Sequence, residues 1–161
     1  MIEPHELQKR MNRLKAGLKR SGVKLTHQRL QIFREVAKSA DHPDVETIFS
    51  GVRRRVPTVS LDTVYRTLWL LIDLGLLTTL GPPRERVRFD ANISSHHHFI
   101  CRKCGMTRDF LSQKFDRLKI PSAVKALGKA ESTQLEVRGI CFRCSMKNKQ
   151  KHRAHRKKEK K

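Results

Sequence analysis

Residues 60–90 read SLDTVYRTLWLLIDLGLLTTLGPPRERVRFD, and this stretch decides the fold of the first half of the chain. Ser60 is a good helix cap, and Gly75 is a helix stop. The inner face of this predicted helix is an apolar stripe at helical spacing, consisting of Leu61, Val64, Leu68, Leu71 and Ile72. The segments LLTTL and RVRFD flank the turn GPPRE, a pattern that predicts a β-hairpin.

Three more helices are predicted before this stretch. The first spans Pro4–Arg20 and is followed by Gly22 as a stop signal. Thr26 caps the second helix, which runs to about Lys38, and Asp44 caps the third. Three or four helices followed by a hairpin resemble a winged helix. In that fold the last helix enters the DNA major groove and the hairpin contacts phosphates.

The chain is strongly basic, with 36 Lys and Arg against 15 Asp and Glu and a formal net charge of +21 over 161 residues. Nine basic residues and one acid lie in residues 147–161, which predicts a disordered tail that raises nucleic-acid affinity through counterion release. No apolar run approaches the ~18–20 residues of a membrane helix. The charged start, MIEPHELQKRMNRLK, is unlike a secretory signal. We therefore expect a soluble, cytoplasmic protein with a polyanionic partner and no membrane association.

The outer face of the fourth helix supplies the candidate DNA contacts. An arginine and aromatic residues on a helix are often only surface and packing residues, so this helix does not decide the function alone. The preceding helices, the hairpin and the charge together favour double-stranded DNA as the partner. The face offers Ser60, Asp62, Thr63, Tyr65, Arg66 and Trp69.

The second half has a different character. HHHFIC, TRDFL and QLEVRGIC read as short strands, and a helix is predicted between Gln113 and Leu127, interrupted at Pro121. A domain this small needs a metal, a dimer partner or both to complete its core. The predicted organisation is α+β: a winged-helix DNA-binding domain (1–90), a small metal-binding α/β domain (91–146) and a basic disordered tail (147–161).

All four cysteines lie in two CxxC pairs, Cys101/Cys104 and Cys141/Cys144. Two such pairs supply the four thiolates of a tetrahedral structural zinc site. Two disulfides or a thiol-redox motif are the competing interpretations. Stable disulfides are disfavoured without a secretory signal, and a dithiol catalyst normally uses one CxxC.

A histidine triplet at residues 96–98 precedes the first CxxC pair. On a strand, His96 and His98 share a face and the middle histidine points away. Asp109 lies on the next strand and can approach the same face, whereas His42 and Asp90 lie in the first half. Short His-rich tracts are a weak, compositional metal signal, and a surface cluster is the alternative.

The sequence resembles the Fur (ferric uptake regulator) family of metal-dependent bacterial repressors over roughly residues 14–145. The resemblance rests on LTHQRLQIFREV, DHPDVETIF, VSLDTVYRTLWLLIDLGLL, RFD, HHHFICRKCG, DF and GICFRC, in order. It implies a winged helix, a C-terminal dimerisation domain, a homodimer on a palindromic operator, and structural zinc on the four cysteines. It also implies a regulatory Fe(II) or Mn(II) site, whose positions match His42, Asp90, His96, His98 and Asp109.

At two places this chain differs from the iron-uptake repressors of the family and resembles the peroxide-sensing branch. Asp109 stands where iron- and zinc-uptake repressors usually have Glu, and its shorter carboxylate favours monodentate binding. Many iron-uptake repressors have a further metal site with an aspartate at the position of His97 and a histidine at the position of Thr133. Only the carboxylate of Asp116 is kept from that site here, so the site is expected to be absent or weak. Position 66 points to the other branch, because iron-responsive repressors have Arg there and some peroxide-responsive repressors have Asn.

The predicted function is a repressor, not an enzyme, that releases oxidative-stress genes when peroxide and bound Fe(II) oxidise His42 or His96. The alternative is an iron-responsive regulator of metal-uptake genes with Fe(II) as co-repressor. A metalloenzyme, a thiol-redox switch and a nonspecific DNA-compacting protein are the rivals from other classes.

Overall fold

The structure is a computed structural model, and it describes residues 2–80, 87–130 and 133–146. The chain divides into two compact units, unit 1 (Met1–Ser94) and unit 2 (Ser95–Lys161). The predicted GPPRE turn and the basic tail lie outside the described residues. No helix within the described ranges is both long and apolar enough to cross a membrane.

Unit 1 contains the four predicted helices and the two predicted strands. Thr26, Asp44 and Ser60 cap their helices, each accepting a hydrogen bond from a backbone N–H three residues later. The strands β1 and β2 pair antiparallel, with Thr79 opposite Phe89. The elements are α1 Pro4–Arg20, α2 His27–Ala37, α3 Val45–Arg53, α4 Leu61–Asp73, β1 Thr78–Leu80 and β2 Arg88–Asp90.

The core of unit 1 confirms the predicted apolar stripe of α4 with one exception. Val64, Leu68 and Leu71 of α4 are fully buried, whereas Leu61 is 40% exposed. The prediction for Leu61 was wrong because it lies in the first turn of α4, one helical turn before Tyr65, and so on the outward stripe. The rest of the core includes Leu14, Leu18, Ile32, Phe33, Val36, Ile48, Val52, Leu76, Leu77 and Phe89.

A buried carboxylate ties the C-terminal end of α3 to α2. Glu35 is 5% exposed and forms ion pairs with Lys38, at 2.6 Å, and with Arg55. Burial raises the pKa of this carboxyl, but the hydrogen bonds from Lys38 and Arg55 outweigh burial and leave the pKa below its usual value. Gly51 provides the space, because a Cβ there would overlap the carboxylate.

Unit 2 is a three-stranded sheet with two short helices. β3 His97–Cys101 is the central strand, antiparallel to β4 Thr107–Phe110 and parallel to β5 Glu136–Gly139. The predicted interrupted helix appears as α5 Gln113–Asp116 and α6 Ser122–Leu127, separated at Pro121. Neither helix buries a side chain within unit 2, and the buried apolar cluster of its described residues consists of three cysteines.

Candidate metal centre

The four cysteines form a cluster at one end of the unit 2 sheet. Cys101 ends β3, and the following turn brings Cys104 back with Gly105 at φ +68°, a backbone conformation that favours glycine. Cys141 and Cys144 come from the chain after β5, where residues 142–146 are helical. All four sulfur atoms lie within 4.8 Å of one another.

The sulfur spacing fits a tetrahedral metal rather than disulfides. The Sγ atoms of Cys104 and Cys141 are 3.8 Å apart, and all four thiols are free. Tetrahedral zinc with Zn–S bonds of about 2.3 Å requires sulfurs about 3.8 Å apart, whereas a disulfide requires about 2.05 Å. These residues would therefore hold zinc.

Hydrogen bonds within the cluster favour the thiolate form of one cysteine, Cys101. The backbone N–H of Cys141 donates to Cys101 Sγ at 3.3 Å, and it is the strongest of several hydrogen bonds that together lower the pKa of the Cys101 thiol to about 6. Burial instead raises the pKa of Cys144 to about 12 in the metal-free cluster. A divalent ion at the cluster would favour the thiolate form of Cys144 as well, with release of its proton.

Two imidazoles and a carboxylate meet on one face of the same sheet. The Nε2 atoms of His96 and His98 are 2.9 Å apart, and both rings are buried. The antiparallel register places Asp109 opposite His98, with its Oδ1 at 3.4 Å from His98 Nε2 and 3.8 Å from His96 Nε2. Metal bonds of about 2.1 Å place neighbouring ligand atoms about 3.0 Å apart in an octahedron and about 3.4 Å apart in a tetrahedron. The cluster therefore fits half of a coordination shell for a divalent ion.

The middle histidine of the triplet points away from this cluster. His97 packs against Phe110 and Phe115, and its Nδ1 accepts a hydrogen bond from the backbone N–H of Leu135 at 3.4 Å. Its Nε2 lies 3.4 Å from Asp116 Oδ1, which also accepts a hydrogen bond from Ser95 at 2.9 Å. The structure thus gives His97 an aromatic and hydrogen-bonded setting of its own.

Unit 1 brings its two candidate ligands together. His42 Nε2 and Asp90 Oδ2 are 3.5 Å apart, and both side chains are 3% exposed. Asp90 Oδ1 accepts a hydrogen bond from the backbone N–H of Asn92 at 2.7 Å, which directs Oδ2 towards the imidazole. His42 is the one non-glycine residue at positive φ (+50°) among those described, a conformation that costs about 1–3 kcal/mol and is typical of functional sites.

Arginines around this pair were not predicted from the sequence. Arg13 of α1 donates to the backbone carbonyl of Ala91, next to Asp90, and burial lowers the pKa of its guanidinium. Arg88 of β2 donates to two carbonyls of the turn that carries His42. No local sequence pattern marks these contacts, since each joins residues more than 40 positions apart.

The predicted DNA-contact residues lie on the exposed side of α4. Tyr65 is 40% exposed, and Arg66 forms an exposed ion pair with Asp62 at 3.0 Å. Ser60 and Thr63 are hydrogen-bonded to each other at 2.8 Å within the helix cap, so they also stabilise α4. A depression of about 250 Å³ beside this face is lined by Thr26, Gln28, Arg29, Asp62, Thr63, Arg66, Thr67 and Leu70. The α2 residues of this set were missed because only the tertiary packing places them beside α4.

Comparisons with known proteins identify relatives of this chain by sequence and by fold. The model of the ferric uptake regulator family matches residues 20–138. The peroxide-responsive repressor PerR of Staphylococcus epidermidis is 30% identical over 140 residues, which cover 87% of this chain and 91% of that protein. The ferric uptake regulator Fur of Helicobacter pylori has the same fold, with a TM-score of 0.70 at 23% identity over 90% of this chain and 97% of that chain.

A second solved structure is more similar in sequence. The ferric uptake regulator of Francisella tularensis, determined with iron, has a TM-score of 0.64 at 27% identity and covers 77% of this chain and 96% of that chain. These likenesses confirm the expected α+β fold with a helical N-terminal region and a small sheet. The family match spans most of both units, and the chain therefore belongs to the ferric uptake regulator family.

Proposed function

We propose that this chain, a metal-responsive DNA-binding regulator by family and not an enzyme, is a cytoplasmic repressor of oxidative-stress genes that senses hydrogen peroxide. The observation that carries the proposal is the His96–His98–Asp109 cluster, in which an aspartate carboxylate lies 3.8 and 3.4 Å from the Nε2 atoms of two buried imidazoles. The 30% identity to a peroxide-responsive repressor supports it. The structural cofactor of this proposal is Zn(II) on Cys101, Cys104, Cys141 and Cys144.

The regulatory site of the proposal uses five ligands. His96, His98 and Asp109 of unit 2 would share one Fe(II) or Mn(II) with His42 and Asp90 of unit 1. Three imidazoles and two carboxylates form a mixed N/O set that suits these ions. Binding that joins ligands from both units would favour one arrangement of the units over others, and only such differential binding can switch DNA affinity.

Bound Fe(II) would supply the reduction of hydrogen peroxide that leads to oxygen insertion at a ligand imidazole. In the net reaction a C–H bond of the imidazole of His42 or His96 becomes C–OH, and the second oxygen of the peroxide leaves as water. The oxidised ring is a poorer ligand, so the ligand set is lost and the operator is released. Asp109 would favour this chemistry, because its short side chain favours monodentate binding, which would leave room for peroxide.

The DNA partner of the proposal is a palindromic operator bound by a homodimer. Tyr65 and Arg66, with Ser60 and Thr63 at the helix start, would contact base edges and phosphates in each half-site. Half-sites would be separated by about one helical turn or a multiple of it. Basic residues, including those of residues 147–161, would add a salt-dependent, sequence-independent contribution.

Peptide mass mapping tests the proposal. The protein is loaded anaerobically with Fe(II) and treated with one equivalent of hydrogen peroxide, with Mn(II) loading as the control. Trypsin releases His42 in the peptide 39–53 and the triplet in the peptide 89–102. An added oxygen atom on His42 or His96, with iron only, is the expected result. Fragment ions distinguish His96 from His97, which serves as an internal control because it faces away from the cluster.

Variants at the ligands separate the proposed function from the alternative. His42→Ala and Asp109→Ala should abolish metal-dependent DNA binding while leaving a zinc-containing dimer, and normal operator affinity in both would contradict the ligand set. Asp109→Glu should retain Mn(II)-dependent binding and lose histidine oxidation. Absence of oxidation in the wild-type protein would instead favour the iron-responsive regulator of metal-uptake genes, which Arg66 and the likeness to the Francisella tularensis regulator also support.

A further inference from the structure

We propose that Arg88 is the positioning residue for His42 and that it joins the metal-ligand turn to the hairpin strand. This inference rests on the proposed function, in which His42 and Asp90 are ligands. It concerns the turn of residues 41–44, called here the ligand turn, and β2, which carries both Arg88 and Asp90.

β2 donates a set of hydrogen bonds to the ligand turn. Arg88 Nη1 donates to the carbonyl of His42 at 3.0 Å and to the carbonyl of Asp41 at 3.3 Å. The backbone N–H of Phe89 donates to the carbonyl of Pro43 at 3.0 Å, and Asp44 pairs with Arg88 as an antiparallel bridge. Three consecutive carbonyls of the turn therefore receive their donors from two consecutive residues of β2.

The conformation of His42 explains why this support is needed. Its φ of +50° is disfavoured for a residue with a side chain, and the proline that follows it favours extended backbone at this position. The conformation persists only where surrounding contacts outweigh its cost. The charged Arg88 side chain donates to the carbonyls on either side of the His42 Cα, those of Asp41 and His42. Its loss therefore lets the turn relax and swings the imidazole away from Asp90.

Arg88 also lies in the β1–β2 pair that is nearest in sequence to the hairpin loop. It pairs with Leu80 in the register of β1 and β2, and Asp90 follows two residues later on the same strand. A metal bound by His42 and Asp90 would therefore tighten the same contacts that anchor β2. In winged-helix proteins the hairpin contacts the DNA backbone, so this contact gives metal binding a direct route to the hairpin.

A positioning role and a purely electrostatic role of Arg88 predict opposite changes in Mn(II) affinity for the same substitution. Arg88→Met removes a cation from the neighbourhood of the ligands, and electrostatics alone predict tighter binding of Mn(II). Loss of a positioning contact predicts weaker binding, typically by about 10–100-fold. Arg88→Lys keeps the charge but offers a point donor in place of the planar fork, so its affinity should fall between those of the wild type and Arg88→Met.

The experiment measures Mn(II) affinity of the zinc-loaded, full-length dimer for the wild type, Arg88→Met, Arg88→Lys and His42→Ala. Arg34→Met, an exposed arginine of α2, is the matched control for loss of one positive charge in unit 1. Zinc content and the thermal unfolding of the manganese-free protein are measured in parallel. We expect Arg88→Met to bind Mn(II) about 10–100-fold more weakly, with zinc retained and unfolding close to that of Arg34→Met.

A second readout follows the histidine itself. After Fe(II) loading and peroxide, Arg88→Lys, which keeps the tryptic site, should lose oxidation on the His42 peptide in preference to the His96 peptide. Mn(II) affinity of Arg88→Met equal to or tighter than that of Arg34→Met would overturn the proposal, as would unfolding of the manganese-free protein by both Arg88 variants. Wild-type affinity in His42→Ala would instead overturn the proposed ligand set.

Discussion

Replacement of Cys141 by Ser should unfold unit 2 and leave unit 1 folded. Cys141 contributes a sulfur to the cluster, and its backbone N–H also donates to Cys101 Sγ. The described part of unit 2 has no buried aliphatic core, since its buried apolar cluster consists of cysteines with Phe99 and Met106 packed against it. Loss of zinc therefore removes the centre of the unit rather than one contact at its edge.

The magnitude follows from the size of the unit. At 0.05–0.15 kcal/mol per residue, the 67 residues of unit 2 (Ser95–Lys161) predict a stability of roughly 3–10 kcal/mol. Structural zinc in small domains contributes about 10–16 kcal/mol of binding free energy at neutral pH. Because the zinc contribution exceeds the whole stability expected for the unit, the zinc-free unit should be unfolded rather than weakened.

Hydrogen exchange with mass spectrometry reads the two units separately. In Cys141→Ser, amides of β3, β4 and β5 should exchange at unfolded rates, while those of α2 and α4 stay protected, and zinc content should fall to background. Met106→Leu is the matched control, because it changes a neighbour of the cluster without removing a ligand and typically costs less than about 1.5 kcal/mol. Slow exchange of β3 in a zinc-free Cys141→Ser protein would refute the reasoning.

Three further outcomes test unit 1. Glu35→Gln should destabilise unit 1 by about 1–3 kcal/mol at pH 7 in urea unfolding followed by circular dichroism. Because the pKa of Glu35 in the folded protein lies below its ordinary value of 4.5, its contribution to stability is present above pH 4.5 and is lost as the pH falls through the folded pKa. The difference in unfolding free energy between Glu35→Gln and the wild type should therefore shrink in acid. A constant difference down to pH 3 would contradict this. Ser60→Ala should cost about 1 kcal/mol through loss of the α4 cap, and an unchanged urea midpoint would show that the cap contributes nothing. Arg66→Ala should weaken operator binding by about 1–3 kcal/mol and relax base preference at one position of each half-site, whereas a uniform loss across all sequences in a binding selection would mean that Arg66 contacts phosphate only.

Local sequence signals predicted most of the secondary structure. Helix caps at Thr26, Asp44 and Ser60 and stops at Gly22 and Gly75 act within one helical turn, so their effect is legible from neighbouring residues. The single error in the α4 stripe, Leu61, lies at a helix end. There, only the packing of the whole unit decides which side of the helix is covered.

The ligand chemistry of the candidate site, and the part of its geometry that depends on neighbouring residues, could be predicted from the sequence. The CxxC spacing predicted four sulfur ligands, and the structure brings these four sulfur atoms within 4.8 Å of one another. The alternation of a strand predicted that His96 and His98 share a face, and their Nε2 atoms are 2.9 Å apart. The roles of these residues in metal binding stay predictions that the proposed experiments test.

The sequence by itself determined which residue types are available as ligands, where the helices begin and end, and the family to which the chain belongs. Only the tertiary structure decided the contacts that join distant segments: the β3–β4 register that sets Asp109 opposite His98, the positive φ of His42, and the reach of Arg88 to the ligand turn. The physical reason is range. Capping and periodicity depend on neighbours a few residues apart. Strand register, and a hydrogen bond from Arg88 to a carbonyl 46 positions earlier in the chain, depend on how the whole unit packs.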